Sequence, residues 1–184
     1  MQTTHDYHTL IRVFDSTFFH SHNTRLVKGD DEPVYLPADD SCNYHRIIFA
    51  HGFFASALHE IAHWCVAGAK RRELEDFGYW YCPDGRNEQQ QAEFEKVEVK
   101  PQAIEWLLSV AAGFPFQVSV DNLTGAQSDR FAFQEKVQQQ VFAYLRNGIP
   151  QRTQSFIDAL RHEFNTSPLR ESMFAWERPE VEVV

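Results

Sequence analysis

The stretch Phe53-Phe54-Ala55-Ser56-Ala57-Leu58-His59-Glu60-Ile61-Ala62-His63-Trp64-Cys65-Val66-Ala67-Gly68 sets the reading of the whole chain. It is rich in Ala, Leu, Ile and Val and fits a buried helix that Gly68 can close in a left-handed cap. Inside it, His59-Glu60-Ile61-Ala62-His63 has the spacing His-Glu-x-x-His. Residues four apart share one helix face about one turn apart, so His59 and His63 can bind one metal ion. Glu60 lies about 100° around the helix from His59 and can reach a water on that ion. Two imidazoles and a carboxylate in so apolar a helix need a partner or a ligand. The plain alternative is a pair of hydrogen-bonded core histidines.

Two histidines rarely complete a site, so a third ligand is expected further along. Glu98 is preferred, because Val97 and Val99 flank it and its carboxylate can point into the fold. Asp76, which opens an aromatic stretch after the helix, is the alternative. His20 and His22 read as loop residues, and His45 and His162 as surface residues. Two His with one carboxylate suit Zn(II), with Glu60 as general base of a metallopeptidase. The same set with open positions suits non-heme Fe(II) and oxygen chemistry.

The rest of the chain bounds these choices. With 184 residues it is long enough for one domain with its own core. Lys plus Arg total 17 against 26 Asp plus Glu, a net charge of −9, which repels nucleic-acid phosphates and anionic membranes. No nucleic-acid or membrane partner is expected. Lys70-Arg71-Arg72 is a short basic run. Cys42, Cys65 and Cys82 have neither metal nor redox spacing. The N-terminus lacks a signal-peptide pattern, and no apolar run reaches about 20 residues, so a cytoplasmic protein is expected.

Outward from the central helix, Tyr7–Phe19 has helical periodicity and His20–Glu32 reads as loop. Val34-Tyr35-Leu36 reads as a short strand, and Arg46–Phe49 as a strand end or a helix entry. Asp76–Tyr81 is aromatic and extended, followed by a turn at Pro83-Asp84-Gly85-Arg86. Glu88–Val97 reads as a polar helix, or a helix running into a strand, and Pro101 as the first turn of another helix ending near Gly113. Phe114–Val120 alternates as a strand would. Ser128 or Asp129 caps a long helix closing at Gly148, and Pro150–Phe164 forms another. The expectation is an α+β, helix-rich single domain over residues 1–184 with a small sheet, in which 167–184 is a mobile tail.

Several blocks taken together resemble the bacterial elongation factor P hydroxylase family. They are His59–Trp64, Ala67-Gly68, Arg71-Arg72, Asp76–Tyr81, Pro83–Arg86, Val97-Glu98-Val99-Lys100-Pro101-Gln102-Ala103, Ala111-Ala112-Gly113 and Asp121-Asn122-Leu123, in colinear order. The resemblance implies a zincin-like α+β fold, similar to a metal-dependent bacterial endoribonuclease. It implies hydroxylation of a lysine of elongation factor P that already carries a β-lysyl group. It implies a non-heme site with Fe(II) and molecular oxygen, Zn(II) being possible, and no signature identifies the reductant. On that reading His59, His63 and Glu98 hold the metal and Glu60 is catalytic. Tyr79, Trp80 and Tyr81 hold the alkyl chain or stack on a cation, and Arg71 and Arg72 meet the protein substrate. An HExxH zinc metallopeptidase is the competing class.

Overall fold

The computed structural model describes residues 5–77, 84–120, 122, 125–126 and 128–179. Helix α1 runs over Tyr7–His22, strand β1 over Thr24–Lys28, β2 over Val34–Leu36 and β3 over His45–Phe49. Helix α2 spans Phe54–Val66, α3 Glu88–Ala112, α4 Arg130–Asn147 and α5 Gln151–Phe164. Short 3-10 turns occupy Arg71–Glu73 and Glu171–Phe174. The three strands form a small mixed sheet in the order β1-β3-β2, with β1 parallel and β2 antiparallel to β3. No helix among the described residues is long and apolar enough to cross a membrane.

Each helix carries its own local reasons. In α1, Leu10, Val13, Phe14 and Phe18 make the i, i+3, i+4, i+8 stripe that faces the core. The Asp6 carboxylate accepts from the Thr9 N–H at 2.9 Å and caps it. Asn87 and Gln90 form a reciprocal capping box on α3, and Gly113, at φ 66°, ends it in the left-handed region. Asp129 caps α4 by accepting from the Phe131 and Ala132 N–H groups. The buried faces of all five helices and of β1 and β3 meet in one core.

Four expectations need correction. First, His20–Glu32 is not all loop, because Thr24–Lys28 is β1. Its inward Thr24 and Leu26 are 1% and 2% exposed, but the pairing that makes it a strand comes from distant β3, Leu26 opposite Ile47. Second, Pro101 does not start a helix; it lies inside the 25-residue α3. An interior proline costs about 3 kcal/mol. The segment after it is buried on nearly every side, with Ala103, Ile104, Leu107, Leu108 and Ala111 at 0% exposure, and that packing holds the helix through the proline. Third, Phe114–Val120 is extended but joins no sheet. Its backbone is bonded by side chains instead. Gln102 accepts from the Ser119 N–H at 3.0 Å and donates to the Ser119 carbonyl at 2.7 Å. Fourth, Gly68 is not a left-handed cap, for α2 ends at Ala67 in extended conformation.

The segment after Ser167, expected to be a mobile tail, contacts α4 at Phe174 and Trp176. Phe174 is 0% exposed, and Gln138 donates to the carbonyls of Phe174 and Trp176 at 2.8 and 3.2 Å. Two aromatic anchors outweigh the irregular backbone around them.

The site-bearing helix enters through a tight turn. His51 and Gly52 have φ of 59° and 68° and join β3 to α2. A Cβ at Gly52 would stand 3.2 Å from the Tyr7 ring and 3.1 Å from Lys28, so close approach and backbone both call for glycine. Ala57 and Ala62, both 0% exposed, let α2 and α3 approach closely, and this pair has the most extensive helix contact in the molecule.

Candidate metal centre

The facing sides of α2 and α3 bring His59, His63 and Glu98 together. One ligand atom from each lies within 4.8 Å of the others. The two Nε2 atoms are 3.0 Å apart. Two nitrogens each about 2.1 Å from one ion, at a right angle, stand about 3.0 Å apart. Glu98 is fully buried on α3. Its Oε2 is 3.8 Å from His59 Nε2 and accepts from the Gln102 amide at 3.2 Å. Its Oε1 is 3.1 Å from His63 Nε2 but poorly directed, and is left buried without a hydrogen bond. An orphaned carboxylate oxygen beside two converging imidazole nitrogens fits a divalent cation.

The electrostatics agree. Burial alone would keep His59 neutral, but Glu105, with Glu98 and Glu60 beyond it, raises its pKa to about 10. Burial likewise opposes charge on Glu98, yet the imidazoles of His63 and His59 and the Gln102 amide hold it down to about 2. Burial pushes the Glu60 carboxyl upward, only partly offset by the two histidines. The carboxylates that hold a proton on His59 are those a dication would meet in its place.

Glu105 is the residue the sequence reading missed. Its Oε2 is 2.8 Å from His59 Nδ1. A ring that donates from Nδ1 to a carboxylate turns its Nε2 lone pair toward the metal position. Glu98, Gln102 and Glu105 are spaced i, i+4 and i+7, one face of one helix. Starting a new helix at Pro101 broke that register and hid the pattern. Glu105→Ala is expected to weaken Co(II) binding roughly 10- to 100-fold in a competition titration, with the fold intact. An affinity within about twofold of the parent would remove this role.

Asp76 is not in the group. Arg71 engages its carboxylate through Nε and Nη2, and its backbone bridges to Tyr35 on β2. Arg71 is thus a clamp on the turn, while the Arg72 guanidinium has no ion pair among the described residues. Tyr79, Trp80 and Tyr81 lie outside the described residues. Glu60 lines two cavities. One of about 40 Å³ also touches His63, Trp64, Arg71 and Asp76. The other, an open cleft of about 290 Å³, is bounded by His59, Glu60, Glu105, Ser56, Gln117 and Ser119. The centre therefore has an acidic approach on the His59 side.

Comparison with known proteins gives this chemistry a family. The sequence profile of a family described as "Elongation factor P hydroxylase" matches residues 13–174. The "Elongation factor P lysine hydroxylase" of Haemophilus influenzae is 54% identical over 162 residues, 88% of this chain and 91% of that protein. Similarity of that extent, running through both helices that carry the cluster, makes this chain a member of the elongation factor P hydroxylase family.

Proposed function

We propose that the protein hydroxylates the β-lysylated lysine of translation elongation factor P, at a metal held by His59, His63 and Glu98. The observation that carries this reading is two imidazole nitrogens and an orphaned buried carboxylate oxygen converging between α2 and α3, in a chain of this family. Fe(II) is the proposed metal and dioxygen the co-substrate: a bound iron supplies the oxygen activation that hydroxylation needs, whereas Zn(II) suits the same donors but has no redox chemistry. The zinc-peptidase alternative is not carried forward, since the family is one of hydroxylases.

The chain's own residues supply binding and proton handling. Glu105 fixes the His59 tautomer and ring orientation. Glu60, its pKa raised by burial, is placed to hold or pass a proton where the cleft meets the centre. Glu60 and Glu105 give the open cleft the charge that an ammonium-bearing side chain prefers, so this is the proposed entrance for the modified lysine. The packing of α2 against β3 supports a zincin-like arrangement of metal helix and sheet. The cytoplasm, where a translation factor works, is the proposed location.

The test is the mass of β-lysylated elongation factor P after incubation with Fe(II)-loaded protein in air with excess ascorbate, the two-electron reductant that lets the second oxygen atom leave as water. A gain of one oxygen on the modified lysine is expected, absent with His63→Ala. An unchanged mass with the loaded parent protein would overturn the proposal.

A further inference from the structure

A cavity of about 310 Å³ opens beside the C-terminal end of α2, with His22, Tyr35, His45, Trp64, Arg72 and Glu73 among its walls. Two guanidinium groups lie near the Trp64 ring, and Arg72 is the one that lines the cavity. Arg152 lies 4.6 Å and Arg72 5.9 Å from the centre of the Trp64 ring. Arg152 donates to the carbonyls of Trp64, Cys65 and Ala67, which orients it without neutralising it. Arg72 makes no ion pair and no side-chain hydrogen bond among the described residues. Arg130 and Arg170 also lack an ion pair among the described residues but are exposed, whereas Arg72 is half-buried. Arg12, Arg25, Arg46, Arg71, Arg146 and Arg178 all have a carboxylate partner.

Other groups around the cavity point the same way. Burial and then the charges of Arg152 and Arg72 push the His22 pKa down, and burial and Arg72 do the same to His45. The Trp64 Nε1 is a buried donor with no hydrogen-bond partner. The one acid on the wall, Glu73, is exposed and forms no ion pair among the described residues. Donors and positive charge gathered beside a single exposed acid that pairs with none of them describe the receiving half of a charge-assisted hydrogen bond.

Tyr35, Trp64 and Arg72 also line the smaller cavity that reaches Glu60 and His63, so the basic cavity adjoins the metal centre. Just past Arg72 on the same segment, Leu74 and Phe77 are 64% and 47% exposed. Exposed apolar side chains beside a charged cavity suit a macromolecule better than a free anion.

We propose that this cavity is a carboxylate-binding subsite whose occupant is an acidic side chain of the protein substrate, gripped by Arg72 with Arg152 behind it, while the target lysine approaches from the acidic cleft. The inference rests on the function proposed above. The two sides of the centre would then read opposite charges on one substrate surface.

The test compares the metal-loaded parent with Arg72→Ala and Arg72→Lys on β-lysylated elongation factor P. Arg72→Ala is expected to raise KM about tenfold or more while kcat falls less than about threefold, with metal content unchanged; the lysine variant should recover part of the loss. In parallel, the Trp64 indole N–H signal, assigned by its absence in Trp64→Phe, should shift saturably with glutarate in the parent and not in Arg72→Ala. A KM within about twofold of the parent overturns the proposal. If glutarate still shifts the indole in that case, the cavity serves a small free anion and the substrate assignment fails. Absence of hydroxylation by the parent would remove the function and the substrate assignment together, and the glutarate shift would still report on the cavity.

Discussion

Glu98→Gln should leave a folded protein that no longer retains its metal. The substitution keeps the volume of a fully buried side chain, so no cavity is created. It removes the one charged oxygen donor of the cluster and leaves the imidazoles of His59 and His63 facing a neutral amide. Loss of a partner that merely orients a ligand costs roughly 10- to 100-fold in affinity, and loss of a direct ligand should cost at least about 100-fold. Metal content after dialysis, read by elemental analysis, should fall from about one ion per chain to under about a tenth. Hydroxylation should fall at least in proportion, with the circular dichroism spectrum unchanged. Full occupancy in Glu98→Gln would mean that the third ligand lies elsewhere. Asp76→Asn is then the next variant to load, and it is expected to keep its metal because Arg71 already holds that carboxylate.

Phe14→Ala should be strongly destabilising without touching the centre. Phe14 is 0% exposed on α1. Its ring lies 5.0 Å from Phe18, 5.4 Å from Trp64 on α2 and 5.6 Å from Phe156 on α5, centroid to centroid. Removing it takes away buried apolar area and leaves a void among rings that cannot collapse without moving a helix. Phe→Ala at such sites costs about 3–5 kcal/mol. For a chain of this size each kcal/mol is worth about 2–4 °C, so a fall of roughly 10 °C in Tm is expected. The urea midpoint should move down with an unchanged slope. A loss under about 1 kcal/mol would show that α1 is not a structural part of the wall behind the metal helix. Because Trp64 also separates the core from the basic cavity, the same variant should disturb that cavity more than the cluster of His59, His63 and Glu98.

The element boundaries show where local pattern suffices. Helices α1, α2, α4 and α5 are readable because each carries a core-facing stripe, and α4 adds the Asp129 cap and the Gly148 stop. The strand β1 was not, because Arg25 and Lys28 look like loop residues until β3 pairs with them. Helix α3 was misread as two pieces because proline has a strong local preference, and the burial that overrides it comes from other helices. His22 and His45, read as loop and surface residues, are half-buried walls of a cavity formed by segments far apart in the chain.

By itself the sequence determined that α2 presents two histidines one turn apart with a glutamate beside them, since helical periodicity places residues 59 and 63 on one face whatever surrounds them. It also determined the family, because colinear blocks over most of the chain are specific in a way that one motif is not. Only the tertiary structure decided which carboxylate joins the histidines, that Glu105 meets His59, and that Arg72 and Arg152 both lie over Trp64 with no ion pair among the described residues. Those facts depend on which side chains meet across packed elements. Glu98 and Asp76 have equal chemical claims as ligands, and the long α3 carries Glu98 to the cluster while Arg71 keeps Asp76 away.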